Sequence, residues 1–167
     1  MVGNRSEVSA LSTILAEVER ALHNDLCEAL RLLNVPTPYR FTGIYRFESG
    51  VVKSVALYDR ENPACRIGAD VPWFDSYCMM TAENGGECEI QHSLNDPRLT
   101  GHAARLTVMS YCAVLLRTAD GEPLGTLCHY DVLPRETRPG TVEDLRTCRG
   151  VVERTLWERL DVGRQSA

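Results

Sequence analysis

The chain has no long apolar run: the longest unbroken one, Tyr111 to Leu116, is far too short to cross a bilayer. Its first residues, Met1 to Ser6, lack the apolar stretch of a secretory signal. No CxxC or other zinc-like cysteine spacing occurs, and the cysteine count, seven, is odd. Without an export signal these are expected to be reduced thiols of a cytoplasmic protein, most of them small buried hydrophobes. No basic excess is present either. A net charge of −5 and a pI near 5.4 argue against a nucleic-acid partner. The local arginines at 135, 138, 146 and 149 have acidic neighbours and read as solvated faces. Internal repeats, low-complexity stretches, a Ser-His-Asp set and a Gly-rich phosphate loop are all missing. What remains is average globular composition, 44% hydrophobic and 25% charged, in 167 residues, enough for one ordinary core.

From Glu7 to Leu33 apolar residues recur in steps of three and four, at Val8, Leu11, Leu15, Val18, Leu22, Leu26, Leu30 and Leu33. This predicts one long amphipathic helix, with Ser6 as its cap and Asn34-Pro36 as its stop. Such a face can lie on the domain's own sheet, on a second copy of the chain, or on both. Phe41 to Phe47 and Val51 to Tyr58, joined at Ser49-Gly50, read as an antiparallel hairpin. The chain is irregular from Asp59 to Asp75. Ser76 to Met80 fits a helical turn or the start of a strand, Asn84-Gly85-Gly86 a turn, and Glu87 to His92 a short strand. Asp96-Pro97 looks like a capped helix start running to about Leu106. Met109 to Leu116 is apolar at nearly every position, as in a strand covered on two sides. Asp120-Gly121 then signals a hairpin turn, and Gly125 in the following strand marks a bulge or a close backbone approach. Thr141 to Leu160 closes the pattern as an amphipathic helix, with Thr141 as cap and Leu145, Cys148, Val152, Leu156 and Leu160 as its stripe. This order predicts an α+β domain with an antiparallel sheet.

The string Asp120-Gly121-Glu122-Pro123-Leu124-Gly125-Thr126-Leu127-Cys128-His129-Tyr130-Asp131, with Pro134-Arg135 after it, resembles the late hairpin of GAF domains. Ser76-Tyr77-Cys78, Asp96-Pro97-Arg98 and Ser110-Tyr111-Cys112 match further GAF signatures in the same order, so the likeness covers roughly Tyr39 to Leu160. The resemblance implies a GAF/PAS-like central antiparallel β-sheet. Long N- and C-terminal helices would lie on one face, and a pocket covered by loops and short helices on the other. It divides the chain into a helix at 1–34 for packing or dimerisation, a GAF domain at 35–161 and a polar tail at 162–167. It also implies a homodimer through the terminal helices. If the first helix is that seam, removing residues 1–34 is expected to leave a soluble monomer.

GAF domains serve unrelated ligands, so the function must be argued from the pocket. Members of the family build it from the segment equivalent to Cys65 to Leu106. Trp73, Phe74, Ser76, Tyr77, Cys78, His92, Asp96 and Arg98 are the residues this assigns to a ligand, with Tyr58, Tyr111 and Cys112 as its floor. Each also has a plainer role: Trp73 and Phe74 as packing, Asp96 as a helix cap, Arg98 as an ion-pair partner. Phytochrome-type members attach a bilin to a Cys-His pair, and this chain has none in the middle segment. The phosphodiesterase-type signature for cyclic nucleotides is missing as well. GAF-type free methionine-R-sulfoxide reductases carry their attacking cysteine in a "GHIAC" segment, where this chain reads Gly101-His102-Ala103-Ala104-Arg105. Thiol redox sensing by Cys65, Cys78 and Cys88 is a further possibility, set against inert buried thiols. The spacing of Cys78, Cys88, His92 and His102 fits no closed metal site, and no cofactor is indicated. The expectation is a stand-alone GAF sensor that binds an unidentified small molecule and signals through its terminal helices or a separate signalling protein. Alternatives are a ligand-free interaction module and, third, a thiol enzyme.

Overall fold

The computed structural model describes residues 5–165, with side chains at 12–160. Its elements are α1 (Arg5–Asn24), α2 (Leu26–Asn34), β1 (Phe41–Glu48), β2 (Val51–Asp59), β3 (Val71–Pro72), α3 (Tyr77–Glu83), β4 (Glu87–Ile90), β5 (Ser110–Arg117), β6 (Pro123–Asp131) and α4 (Thr141–Gln165). The strands form one antiparallel sheet in the order β3-β2-β1-β6-β5-β4. Around it the helices complete an α+β arrangement.

The apolar stripe of the first 34 residues is carried by two helices rather than one. Asp25 stands between them in extended conformation (φ −151°, ψ 112°), and its carboxylate accepts a hydrogen bond from the Cys27 N–H. An aspartate placed to cap a fresh helix satisfies an orphan donor that a continuous helix would not have there. Ser6 lies within α1 instead of capping it, and the packing of Val8 and Leu11 falls outside the described side chains. Val18, Leu22, Leu26, Ala29, Leu30 and Leu33 are buried, together with Leu145, Cys148, Val152 and Leu156 of α4. Both sets press on Ile44, Ala56, Cys112, Val114 and Leu127 from one face of the sheet. From Val18 onward the stripe is therefore spent on the chain's own core. Thr141 is already the first residue of α4, and the Asp144 N–H donates to the Gly140 carbonyl.

Ser49 and Gly50 both take positive φ (51° and 78°), the two-residue turn whose twist suits β1 and β2. The β5–β6 connection is wider: the Thr118 N–H donates to Glu122 O, and Gly121 takes φ 86°. Gly125 sits where β6 crosses β1 so closely that a Cβ there would lie 1.8 Å from the Tyr45 carbonyl oxygen. A helix from Asp96 to Leu106 does not form. Two single 3₁₀ turns, Pro97–Leu99 and Ala103–Leu106, replace it, because Gly101 between them takes φ 79°. Asp96 does cap the first, accepting from the Arg98 N–H. Of the arginines, Arg135 bonds the buried Asp131 at 2.9 Å, so it anchors the chain leaving β6 instead of merely facing solvent. No described helix is long and apolar enough to cross a membrane.

Candidate functional site

On the face of the sheet away from the long helices lies a second apolar cluster around a cavity of about 230 Å³. Strand alternation decides what reaches it, since successive side chains point to opposite faces. Tyr111 of β5 faces the cavity, whereas Cys112 and Val114 face the helices. The antiparallel register sets Tyr111 opposite Tyr130 and Ala113 opposite Cys128, and both Tyr130 and Cys128 line the cavity. Tyr45 of β1 and Val52 of β2 extend this wall. The cover comes from Ala69, Val71, Asp75, Ser76, Tyr77 and Cys78 on one side and Ala104 and Val108 on the other. Ser76 positions the cover by capping α3: its hydroxyl accepts from the Cys78 N–H at 3.1 Å.

The polar groups of the wall bond to one another. The Tyr45 and Tyr130 hydroxyls are 2.7 Å apart. The Tyr77 hydroxyl donates to Val108 O at 3.0 Å, and the Tyr111 hydroxyl donates to Cys78 Sγ at 3.3 Å. Cys78 Sγ is also 3.1 Å from Thr126 Oγ1. The rings meet in one edge-on pair, Tyr77 with Tyr111 at 5.6 Å and 64°, and one tilted pair, Tyr45 with Tyr130 at 6.4 Å and 55°. Burial pushes the Tyr77 phenol up to about 12, and holds Tyr45, Tyr111, Tyr130 and the Cys128 thiol well above their ordinary values. All stay neutral at physiological pH. Asp75, exposed at the mouth, brings the one carboxylate among the described lining residues, and no Arg, Lys or His is among them.

Of the residues assigned from sequence, Ser76, Tyr77, Cys78 and Tyr111 meet at this cavity. Tyr58 and Cys112 do not: both pack into the helix-side cluster, so neither is the floor. Trp73 packs edge-on against Phe47 at 4.7 Å beside the cavity, and Phe74 is 75% exposed. His92, Asp96 and Arg98 lie together in a separate, shallow surface groove, where the Arg98 guanidinium bonds Asp96 at 2.6 Å and Glu89 O at 2.8 Å. For Asp96 and Arg98 the plainer roles, cap and ion pair, are observed. Cys65 lies in the loop after β2 against Ile67 O. Cys88 is buried on the cavity-side cluster without lining the cavity, and burial raises its thiol to about 11. All seven cysteines are free. No group of three or more His, Cys, Asp or Glu among the described residues is placed to hold a metal.

Among the lining residues, sequence reasoning missed Tyr45, Tyr130, Cys128, Asp75 and the small apolar ones, Val108 included. The signal was available for two of them, because Tyr130 and Cys128 share the parity that Tyr111 and Ala113 show across the hairpin. Asp75 and the short Val108 side chain carry no local mark.

No family model and no curated sequence matches the chain. Solved structures do. The GAF domain of an Acinetobacter phosphoenolpyruvate-protein phosphotransferase superposes with a TM-score of 0.74 at 13% identity, over 97% of this chain and 99% of that one. Free methionine-R-sulfoxide reductase of Neisseria meningitidis, solved with its substrate, gives 0.68 at 15% identity, over 100% and 98%. A type II free methionine-R-sulfoxide reductase of Thermoplasma acidophilum gives 0.61 at 17%, over 84% and 96%. The fold is of the GAF type. At these identities the likeness extends to the fold alone, which both sensor domains and reductases share.

Proposed function

We propose that this GAF-fold chain is a sensory or regulatory module that binds a small molecule in the cavity over its sheet. The observation that carries the reading is the cavity itself, apolar-walled, concave and lined by residues from β1, β2, β5, β6 and the cover. A route outward exists in the same strands. Tyr111 at the cavity is followed by Cys112 and Val114, which pack in the cluster shared with α4. Farther along β5, Arg117 is held by α4 at both backbone groups: its N–H donates to Glu153, and its carbonyl accepts from Trp157 Nε1 at 2.9 Å. A ligand that favours one setting of β5 thereby biases α4, by no more than its differential affinity for the two settings. The output is association through the terminal helices, with a second copy or a separate signalling protein.

Native mass spectrometry of the purified chain beside its denatured spectrum tests the binding. The expected result is a non-covalent excess mass that Val108→Trp, which fills the cavity, removes. An excess mass retained by that variant would place the ligand elsewhere.

A thiol reductase is the second reading, favoured by Cys78 and Cys128 at the cavity and by the reductase neighbours. Against it, the motif resemblance sets Arg105 at the position of the reductases' attacking cysteine. Its guanidinium is turned to the Ser93 and Leu94 carbonyls, and it does not line the cavity. Incubation with free methionine-R-sulfoxide and a dithiol should yield no methionine. Turnover that Cys78→Ser abolishes would put catalysis in place of sensing.

A further inference from the structure

The cavity's wall chemistry narrows what it can hold, an argument that rests on the binding reading above. At about 230 Å³ it is smaller than the roughly 300–1,000 Å³ of most ligand pockets. Nucleotides and tetrapyrroles are too large for it. A carboxylate or phosphate would find no Arg, Lys or His among the described lining residues, and an unpaired buried anion is strongly disfavoured.

Most of the wall's donors are also engaged, leaving one hydroxyl proton of the Tyr45–Tyr130 pair and that of Ser76. Tyr77 donates to Val108 O and Tyr111 to Cys78, while Tyr45 and Tyr130 bond each other and Cys78 pairs with Thr126. A ligand rich in hydrogen-bonding groups, such as a sugar or a primary ammonium, would have to break these bonds or leave its own groups unmatched. Beyond those two protons the wall offers aromatic surface from four tyrosines, one edge-on pair and one tilted pair. Neutral aromatic rings attract cations through their negative π faces, and an alkylated ammonium asks for no hydrogen bond. Asp75 at the mouth supplies the opposite charge.

We infer that the cavity takes a small alkylated ammonium, its charge held by Tyr45, Tyr77, Tyr111 and Tyr130 and balanced by Asp75. A cation with a short neutral tail fills the space, and the tail leaves past Asp75 and Ser76.

The test uses choline and its uncharged isostere 3,3-dimethylbutan-1-ol, which differ in charge and hardly in shape. Calorimetric titration of the full chain is expected to give choline an affinity about tenfold higher than the isostere. Asp75→Asn, at an exposed position, should weaken choline about threefold and leave the isostere unchanged. Tyr130→Phe keeps the ring and should hold choline affinity, whereas Tyr130→Leu should lose most of the preference for charge. Isostere binding by Tyr130→Leu serves as the check that it folds. If the isostere binds as tightly as choline, the ammonium inference is overturned while the binding reading stands. If neither binds at any soluble concentration, the ammonium inference is likewise overturned, while the binding reading stands or falls with the native mass spectrum.

Discussion

His129 shows how one buried side chain sets a property of the whole protein. Its ring is fully buried on the helix side of the sheet, stacked on Tyr39 at 5.6 Å, with Nδ1 2.7 Å from Thr42 Oγ1. Burial, assisted by the nearby Arg60 charge, pushes its pKa down from 6.5 to about 3. Between those values the unfolded chain holds a proton that the folded chain does not. Stability contributed by the neutral ring is complete above the unfolded value and is lost as pH falls toward the folded one, by about 1.4 kcal/mol per pH unit. Urea unfolding at pH 7, 6 and 5 should show a falling midpoint, and His129→Gln, less stable at pH 7, should show a shallower decline. Equal slopes would assign the acid sensitivity to carboxylates instead. The sequence shows His129 only as one residue of a strand; its burial depends on Tyr39 and Thr42, which a distant segment brings against it.

At the scale of elements, two residues decide geometry that periodicity alone does not reveal. The apolar steps continue unbroken from Leu22 to Leu26, so the pattern reads as one helix, yet Asp25 ends α1 and caps α2. Its carboxylate accepts from the Cys27 N–H at 2.9 Å and from Arg66 at 2.6 Å. Asp25→Ala should cost about 1 kcal/mol, the ordinary worth of an N-cap, measured as a drop in melting temperature. No loss would mean that packing alone places α2. Gly125 is the second such residue. Its role as a point of close approach is legible in the sequence, but its severity is not. With a Cβ 1.8 Å from the Tyr45 carbonyl oxygen, Gly125→Ala must separate β6 from β1, where Tyr45 pairs with Thr126. A loss of about 4 kcal/mol or more is expected, read as insoluble expression or a collapsed denaturation midpoint. A variant that melts like the parent would show that the strands can part at no cost. The broken segment from Pro97 to Leu106 has a simpler lesson: a glycine at positive φ stops a helix that its cap and proline could start.

For the molecule as a whole, the helices of the first 34 residues belong to the same hydrophobic cluster as α4 and the sheet. Val18, Leu22, Leu26, Leu30 and Leu33 are all nearly inaccessible. Each buried aliphatic side chain contributes about 1.5–3 kcal/mol, and a domain's net stability is about 5–15 kcal/mol. Deleting residues 1–34 should therefore unfold the chain and not release the soluble monomer expected of a detachable seam. Circular dichroism and sedimentation of the truncated protein decide this. A folded, soluble product would return the first helices to a peripheral role. Self-association is best tested by sedimentation of the full chain.

The α+β class, both hairpins, the two terminal helical regions and four of the cavity residues could be read from the sequence. Those features rest on local rules: apolar period, turn dipeptides, capping residues and an ordered set of motifs. The cavity required the fold. Tyr45 and Tyr130 touch across 85 positions of chain, and no local pattern brings them together. Alternation along a strand says that Tyr111 and Cys112 face opposite ways, but only packed helices decide which side is which. Whether a tyrosine hydroxyl is free for a ligand or already bonded to a neighbour depends on that same packing. The chemistry that the cavity wall presents was therefore decided by tertiary structure, because it follows from which donors folding leaves unused.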